Sequence, residues 1–190
     1  LIENAKPIPH KEILTFHELR QEIRNELQNP DQVVGKQFQT LPALNRIIKG
    51  HRPGELTVLT GSTGSGKTTL LSQMSIDLCQ DNTNTLWGSF EIKNTRLIKK
   101  MLTQLVGYEL DGLPQEHFDA AAERFENLPL YFMRFYGSTE VDEVLDAMEY
   151  AVYAYDVEHV ILDNLQFMLS GQGNNSRNNF GKFVKTFTKV

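Results

Sequence analysis

Gly61-Ser62-Thr63-Gly64-Ser65-Gly66-Lys67-Thr68 stands between the apolar run Leu56-Thr57-Val58-Leu59-Thr60 and a helical pattern from Thr69 to about Cys79. It is a complete G-x-x-x-x-G-K-[ST] phosphate loop in the strand-to-helix setting that this motif needs. Its glycines let the backbone wrap closely, so successive N–H groups and the positive end of the following helix face a polyphosphate. Lys67 offers a point charge to the β and γ oxygens, and Thr68 offers a hydroxyl to Mg²⁺. The expected nucleotide-binding set is Gly61, Ser62, Thr63, Gly64, Ser65, Gly66, Lys67, Thr68 and Thr69, with ATP or another NTP and Mg²⁺ as cofactors.

Outward from this loop, four apolar runs read as strands, at about 56–60, 85–90, 129–133 and 159–163, separated by helical patterns. That alternation predicts an α/β fold with a mostly parallel sheet flanked by helices. So few strands leave an exposed edge. Pro42 opens a short helix with Leu44, Ile47 and Ile48 on its face, and Gly50 stops it. Asn94 caps a helix ending at Gly107, Pro114 starts the next, and Val141, Val144, Leu145, Met148, Val152 and Tyr155 form one stripe of a helix over 140–155.

Magnesium needs an acidic partner, and His159-Val160-Ile161-Leu162-Asp163 ends an apolar strand in a carboxylate. Asp163 is the metal-side candidate; alone, the pattern also fits an ordinary strand-end acid. Hydrolysis needs a group that orients or deprotonates water, and Thr85-Leu86-Trp87-Gly88-Ser89-Phe90 delivers Glu91 where ligands gather in parallel sheets. Lys67 and Glu91 are therefore the catalytic candidates, against the alternative of Glu91 as a solvated acid near a helix start. Asn164 and Gln166 either sense the nucleotide or a partner, or cap the strand.

Composition bounds the rest. The 190 residues carry 19 Lys+Arg against 24 Asp+Glu, a net charge of −5, with 40% hydrophobic residues, enough for one globular core. A net negative charge argues against a surface that grips nucleic acid throughout, though not against a local basic channel. Cys79 is the single cysteine, so no internal disulfide forms, and the five His show no metal spacing. No run reaches the roughly 20 apolar residues of a transmembrane segment. Residues 1–39 read as a linker region, with Pro7-Ile8-Pro9 extended and a helix marked by Phe16, Leu19, Ile23 and Leu27, a Thr15/Glu18 capping box and a stop at Pro30. That helix either packs on its own domain or docks on a neighbouring subunit. Residues 40–169 form the core, and 170–190 a polar loop and tail in which Arg177, Lys182, Lys185 and Lys189 are the basic groups available to DNA. The start at Leu1 and the end at Val190 without a closing turn read as a piece of a longer chain.

The string Gly54-Glu55-Leu56-Thr57-Val58-Leu59-Thr60-Gly61 with the loop it enters, Leu86-Trp87-Gly88-Ser89-Phe90-Glu91, Leu128-Pro129-Leu130-Tyr131-Phe132 and Ile161-Leu162-Asp163-Asn164-Leu165-Gln166-Phe167-Met168 together resemble the helicase domain of the Twinkle family. These are mitochondrial replicative DNA helicases, related to the phage primase-helicase and to bacterial DnaB. The resemblance spans about residues 40–169, and the opening helix is similar to the family's linker helix. It implies a RecA-like P-loop NTPase core, incomplete at its C-terminal end, in a homo-oligomeric ring, hexamer or heptamer, with nucleotide sites between subunits. It also implies 5′-to-3′ unwinding of forked DNA around a central single strand, and a mitochondrial location. Family roles fall on Lys67 and Thr68 at the phosphates and Mg²⁺, on Glu91 for water activation and on Asp163 for Mg²⁺. The family's phosphate-sensing His, DNA-contacting loops and trans-acting arginine finger are expected beyond Val190, and the tail from Asn178 departs from its pattern. A piece of this kind is expected to bind nucleotide and turn it over poorly, because an arginine finger supplies much of phosphoryl-transfer catalysis. A nucleotide-binding and oligomerising product without turnover, and a recombinase- or clock-type RecA relative, are the alternative readings.

Overall fold

The computed structural model describes residues 14–29, 34–135 and 140–164. The Pro7-Ile8-Pro9 stretch, Pro30, Gln166, and the loop and tail carrying Arg177, Lys182, Lys185 and Lys189 lie outside the described residues.

Contacts divide the chain into a unit through Val34 and a unit from Gly35. In the first, α1 (Phe16–Gln28) begins at the expected capping box: the Glu18 carboxylate accepts from the Thr15 N–H at 2.6 Å and from its hydroxyl at 2.7 Å. The hydroxyl, then the N–H, hold Glu18 below the ordinary carboxylate range. No residue of α1 is buried, and its apolar stripe faces outward, Phe16 and Leu27 most of all.

The second unit begins before the expected boundary at residue 40, because Phe38 is buried against Met74 and Leu78, and Lys36 bridges His51. Next come α2 (Pro42–Ile48), α3 (Lys67–Gln80), β1 (Thr85–Ser89), α4 (Asn94–Val106), α5 (Gln115–Glu126), β2 (Leu130–Phe132), α6 (Val141–Tyr155) and β3 (His159–Asp163). The sheet is parallel in the order β2-β1-β3. Every residue of the central β1 is buried, as a strand covered on both faces requires.

Period-two alternation sorts the sheet's side chains. Trp87, in register with Phe132 and Ile161, packs with Ile76 of α3 and Leu97 and Met101 of α4. Leu86, in register with Tyr131 and Val160, faces the stripe Val141, Val144, Leu145 and Met148 of α6. The Trp87 indole N–H donates to the Ser75 hydroxyl at 2.7 Å, satisfying a fully buried polar atom. Gly88 must lack a Cβ, which would meet Leu162 Cδ2 at 2.7 Å and Met133 Sδ at 3.0 Å.

Three expectations are corrected. Residues 56–60 do not form a strand: no described strand runs beside them, and Leu56, Val58 and Leu59 are exposed. An apolar run signals a tendency to bury, but a strand also needs a neighbour for its N–H and C=O groups. Asn94 is the first residue of α4 rather than its cap, which is Lys93; its amide donates to the Met133 carbonyl at 2.7 Å. Ile47 is 78% exposed, so only Leu44 and Ile48 of α2 pack towards Phe38.

Asp77 of α3 is buried, and its carboxylate accepts from the Thr40 N–H at 2.8 Å, the Thr40 hydroxyl at 2.7 Å and the Gln73 amide at 3.1 Å. It ties the segment before α2 to the phosphate-loop helix. Asp77→Ala strands the two Thr40 donors and is expected to lower the unfolding free energy by about 2 kcal/mol in urea titrations, with Asp77→Asn costing less. Equal stability of Asp77→Ala and wild type would contradict the tie.

At the opposite end of β3, the His51 and His159 rings lie 5.5 Å apart, with Phe38 edge-on to His51. His51 Nε2 and His159 Nδ1 are buried without hydrogen-bond partners. Burial, then the neighbouring His51, pushes His159 down to about 3. Burial also lowers His51, with Glu55 opposing and Arg52 reinforcing. Both imidazoles are thus neutral in the fold and gain protons more readily once it opens. Their contribution is intact above the unfolded value of 6.5 and is lost as pH falls towards the depressed folded values. Denaturant titrations are expected to show about 1–2 kcal/mol less stability at pH 5 than at pH 7, and a smaller loss in His159→Phe. An unchanged pH dependence in that variant would contradict the assignment.

Candidate phosphate and metal site

The phosphate loop leads directly into α3. Gly64 and Gly66 take positive φ values of 79° and 91°, a backbone region that L side chains rarely adopt, and open space surrounds the place of each missing Cβ. The Ser65 N–H turns back to the Ser62 carbonyl at 3.2 Å, and the Leu70 N–H closes the first helical bond onto Gly66 at 2.9 Å. The N–H groups of Lys67, Thr68 and Thr69 precede that bond and, like every first turn, have no partner within the helix. The Lys67 ammonium folds over the loop and donates to the Gly61 and Ser62 carbonyls at 2.8 and 2.9 Å. It therefore sits above the concavity in which a phosphate would lie.

The second half of the site comes from the C-terminal ends of the strands. Thr68 Oγ1 donates to Asp163 Oδ2 at 2.6 Å, joining residues 95 apart in sequence. Asp163 is 6% exposed, pairs in register with Ser89, and its carbonyl accepts the Phe90 N–H at 2.8 Å. That link leads β1 out to Glu91, which is exposed. Asn164 amide Nδ2 donates to Glu91 Oε2 at 2.8 Å, so Asn164 turns towards the site rather than closing the strand. Thr68 with Asp163, and Glu91 with Asn164, thus gather at one end of β1 and β3, beside the loop carrying Ser62, Thr63 and Lys67.

Among the described residues no three His, Cys, Asp or Glu side chains gather into a metal cage. The hydroxyl–carboxylate pair Thr68/Asp163 nevertheless fits Mg²⁺, a hard cation held by one or two protein oxygens with substrate phosphates and water completing its shell.

Reasoning from the sequence missed a polar brace on the helix after Glu91. Lys100 of α4 donates to Thr69 Oγ1 at 3.1 Å. One turn on, the Gln104 amide donates to the Thr69 carbonyl at 2.9 Å and accepts from the buried Ser72 hydroxyl at 2.6 Å. The i, i+4 spacing of Lys100 and Gln104 puts them on one face, which was the available signal.

A loop lysine and threonine answered by a strand-end carboxylate, on a parallel sheet with helices on both faces, define a P-loop NTPase of the RecA-like kind. Residues 23–190 match the family described as an AAA domain, and the chain belongs to that family. Among solved structures it is similar to the ATPase domain of a DnaB-like helicase, with a TM-score of 0.70 at 12% identity, over 94% of this chain and 67% of that one. At that identity the likeness is one of fold. Among the described residues no helix is long and apolar enough to cross a membrane.

Proposed function

We propose that the chain is the nucleotide-binding segment of a DnaB-like, ATP-dependent replicative DNA helicase of the Twinkle type, acting in mitochondria. The observation that carries the nucleotide half of this reading is the 2.6 Å bond between Thr68 and Asp163, which makes one site of two distant motifs. When bound, Mg²⁺ neutralises charge on the β and γ phosphates. Lys67 holds those oxygens, Thr68 and Asp163 hold the metal, and Glu91, steadied by Asn164, orients the attacking water. The helicase half is supported by the strings Trp87-Gly88-Ser89-Phe90-Glu91 and Asp163-Asn164-Leu165-Gln166-Phe167-Met168, which are more specific than a phosphate loop. The exposed apolar stripe of α1 suits a helix that docks on a neighbouring subunit of a hexameric or heptameric ring.

Hydrolysis and strand separation test the reading together. The ring-forming protein is expected to hydrolyse ATP faster with single-stranded DNA and to open a fork bearing a 5′ tail. Turnover indifferent to DNA, in rings that leave the fork closed, would favour a clock-type ATPase. Nucleotide binding without turnover in the complete ring would favour an oligomerising product.

A further inference from the structure

We propose that Lys100 is a second cationic contact of the bound nucleotide, reaching its α and β phosphates from α4 while Lys67 serves the β and γ oxygens. The inference rests on the phosphate-site reading above and deepens it.

Lys100 and its neighbour are used differently. Lys99 is paired with Asp111, at 2.6 Å. Among the described residues no carboxylate lies within ion-pair distance of Lys100, whose ammonium ends instead on the Thr69 hydroxyl at 3.1 Å. An ammonium held at the first turn of α3, beside N–H groups that the helix leaves unpaired, adds positive charge where a helix end already favours an anion. Its placement is fixed: Gln104, on the same face of α4, grips the Thr69 carbonyl and the Ser72 hydroxyl. The α4 face is therefore braced against the loop helix, and Lys100 stays within reach of the site.

The helix also indicates which phosphates it meets. Thr68 turns to Asp163 on β3, and that pair marks the metal-bearing β/γ end. Thr69 follows about 100° further round the helix and turns to α4. A cation on Thr69's side stands on the α side of the metal. Its contacts persist in the diphosphate.

Equilibrium titration of the full chain with MgATP and with MgADP, at low and raised salt, tests this. Lys100→Gln is expected to weaken both nucleotides by the same factor, about five- to tenfold, and to flatten the salt dependence. Lys100→Arg should restore affinity to within about twofold, since it returns the charge. Lys100 is exposed, so an unchanged melting temperature without nucleotide separates this from a folding defect. Affinity of Lys100→Gln within twofold of wild type for both nucleotides, or loss confined to MgATP, overturns the contact while leaving the phosphate site standing. Failure of the wild-type chain to bind either nucleotide overturns the phosphate site itself, and the contact with it.

Discussion

Glu91→Gln is expected to slow ATP hydrolysis by the ring-forming protein by about 10²–10⁴-fold while leaving MgATP affinity within about twofold. The substitution removes the carboxylate's basicity and little else. Glu91 is exposed at the end of β1, so no buried charge is lost. The Asn164 amide, which donates to Glu91 Oε2 at 2.8 Å, finds an equivalent carbonyl acceptor in glutamine. Position is therefore preserved and only proton acceptance is removed. Single-turnover hydrolysis beside equilibrium binding separates the two quantities. A fall of less than threefold would return Glu91 to a solvated acid near a helix start.

Lys67→Ala has the second large effect, and it lies in binding. Affinity for MgATP is expected to fall about a hundredfold or more, with turnover at fixed ATP falling alongside. The fold should tolerate the change: the carbonyls of Gly61 and Ser62 that Lys67 engages belong to exposed residues, so water replaces the ammonium there. Thermal unfolding without nucleotide is the control, and a shift of no more than a few degrees is expected. Retained affinity would mean that the loop is not where the phosphates bind.

The part of this molecule legible in its sequence is the part governed by local chemistry. The glycine spacing of the loop, the start of α3, the αL glycine that stops α4 at Gly107 and the buried stripe of α6 depend on residues a few positions apart. Asp163 was legible for a related reason, because a carboxylate closing an apolar strand in this fold type falls at the ligand-binding end. What was not legible depends on partners. Whether residues 56–60 pair is decided by what runs beside them, not by their own apolarity. The side that Asn164 chooses is set by Glu91, 73 residues away, and the Thr69 brace by residues 31 and 35 away. Asp77 reads as a polar position on a helix until the fold brings Thr40 to it across 37 residues.

Crystals of the full chain grown with Mg²⁺ and a non-hydrolysable ATP analogue test the central claim most directly. The triphosphate is expected within the turn of Gly61 to Thr68, with Mg²⁺ on Thr68 Oγ1 and Asp163 beside it. A nucleotide bound elsewhere with that turn empty, or a metal held by other side chains, would contradict the account.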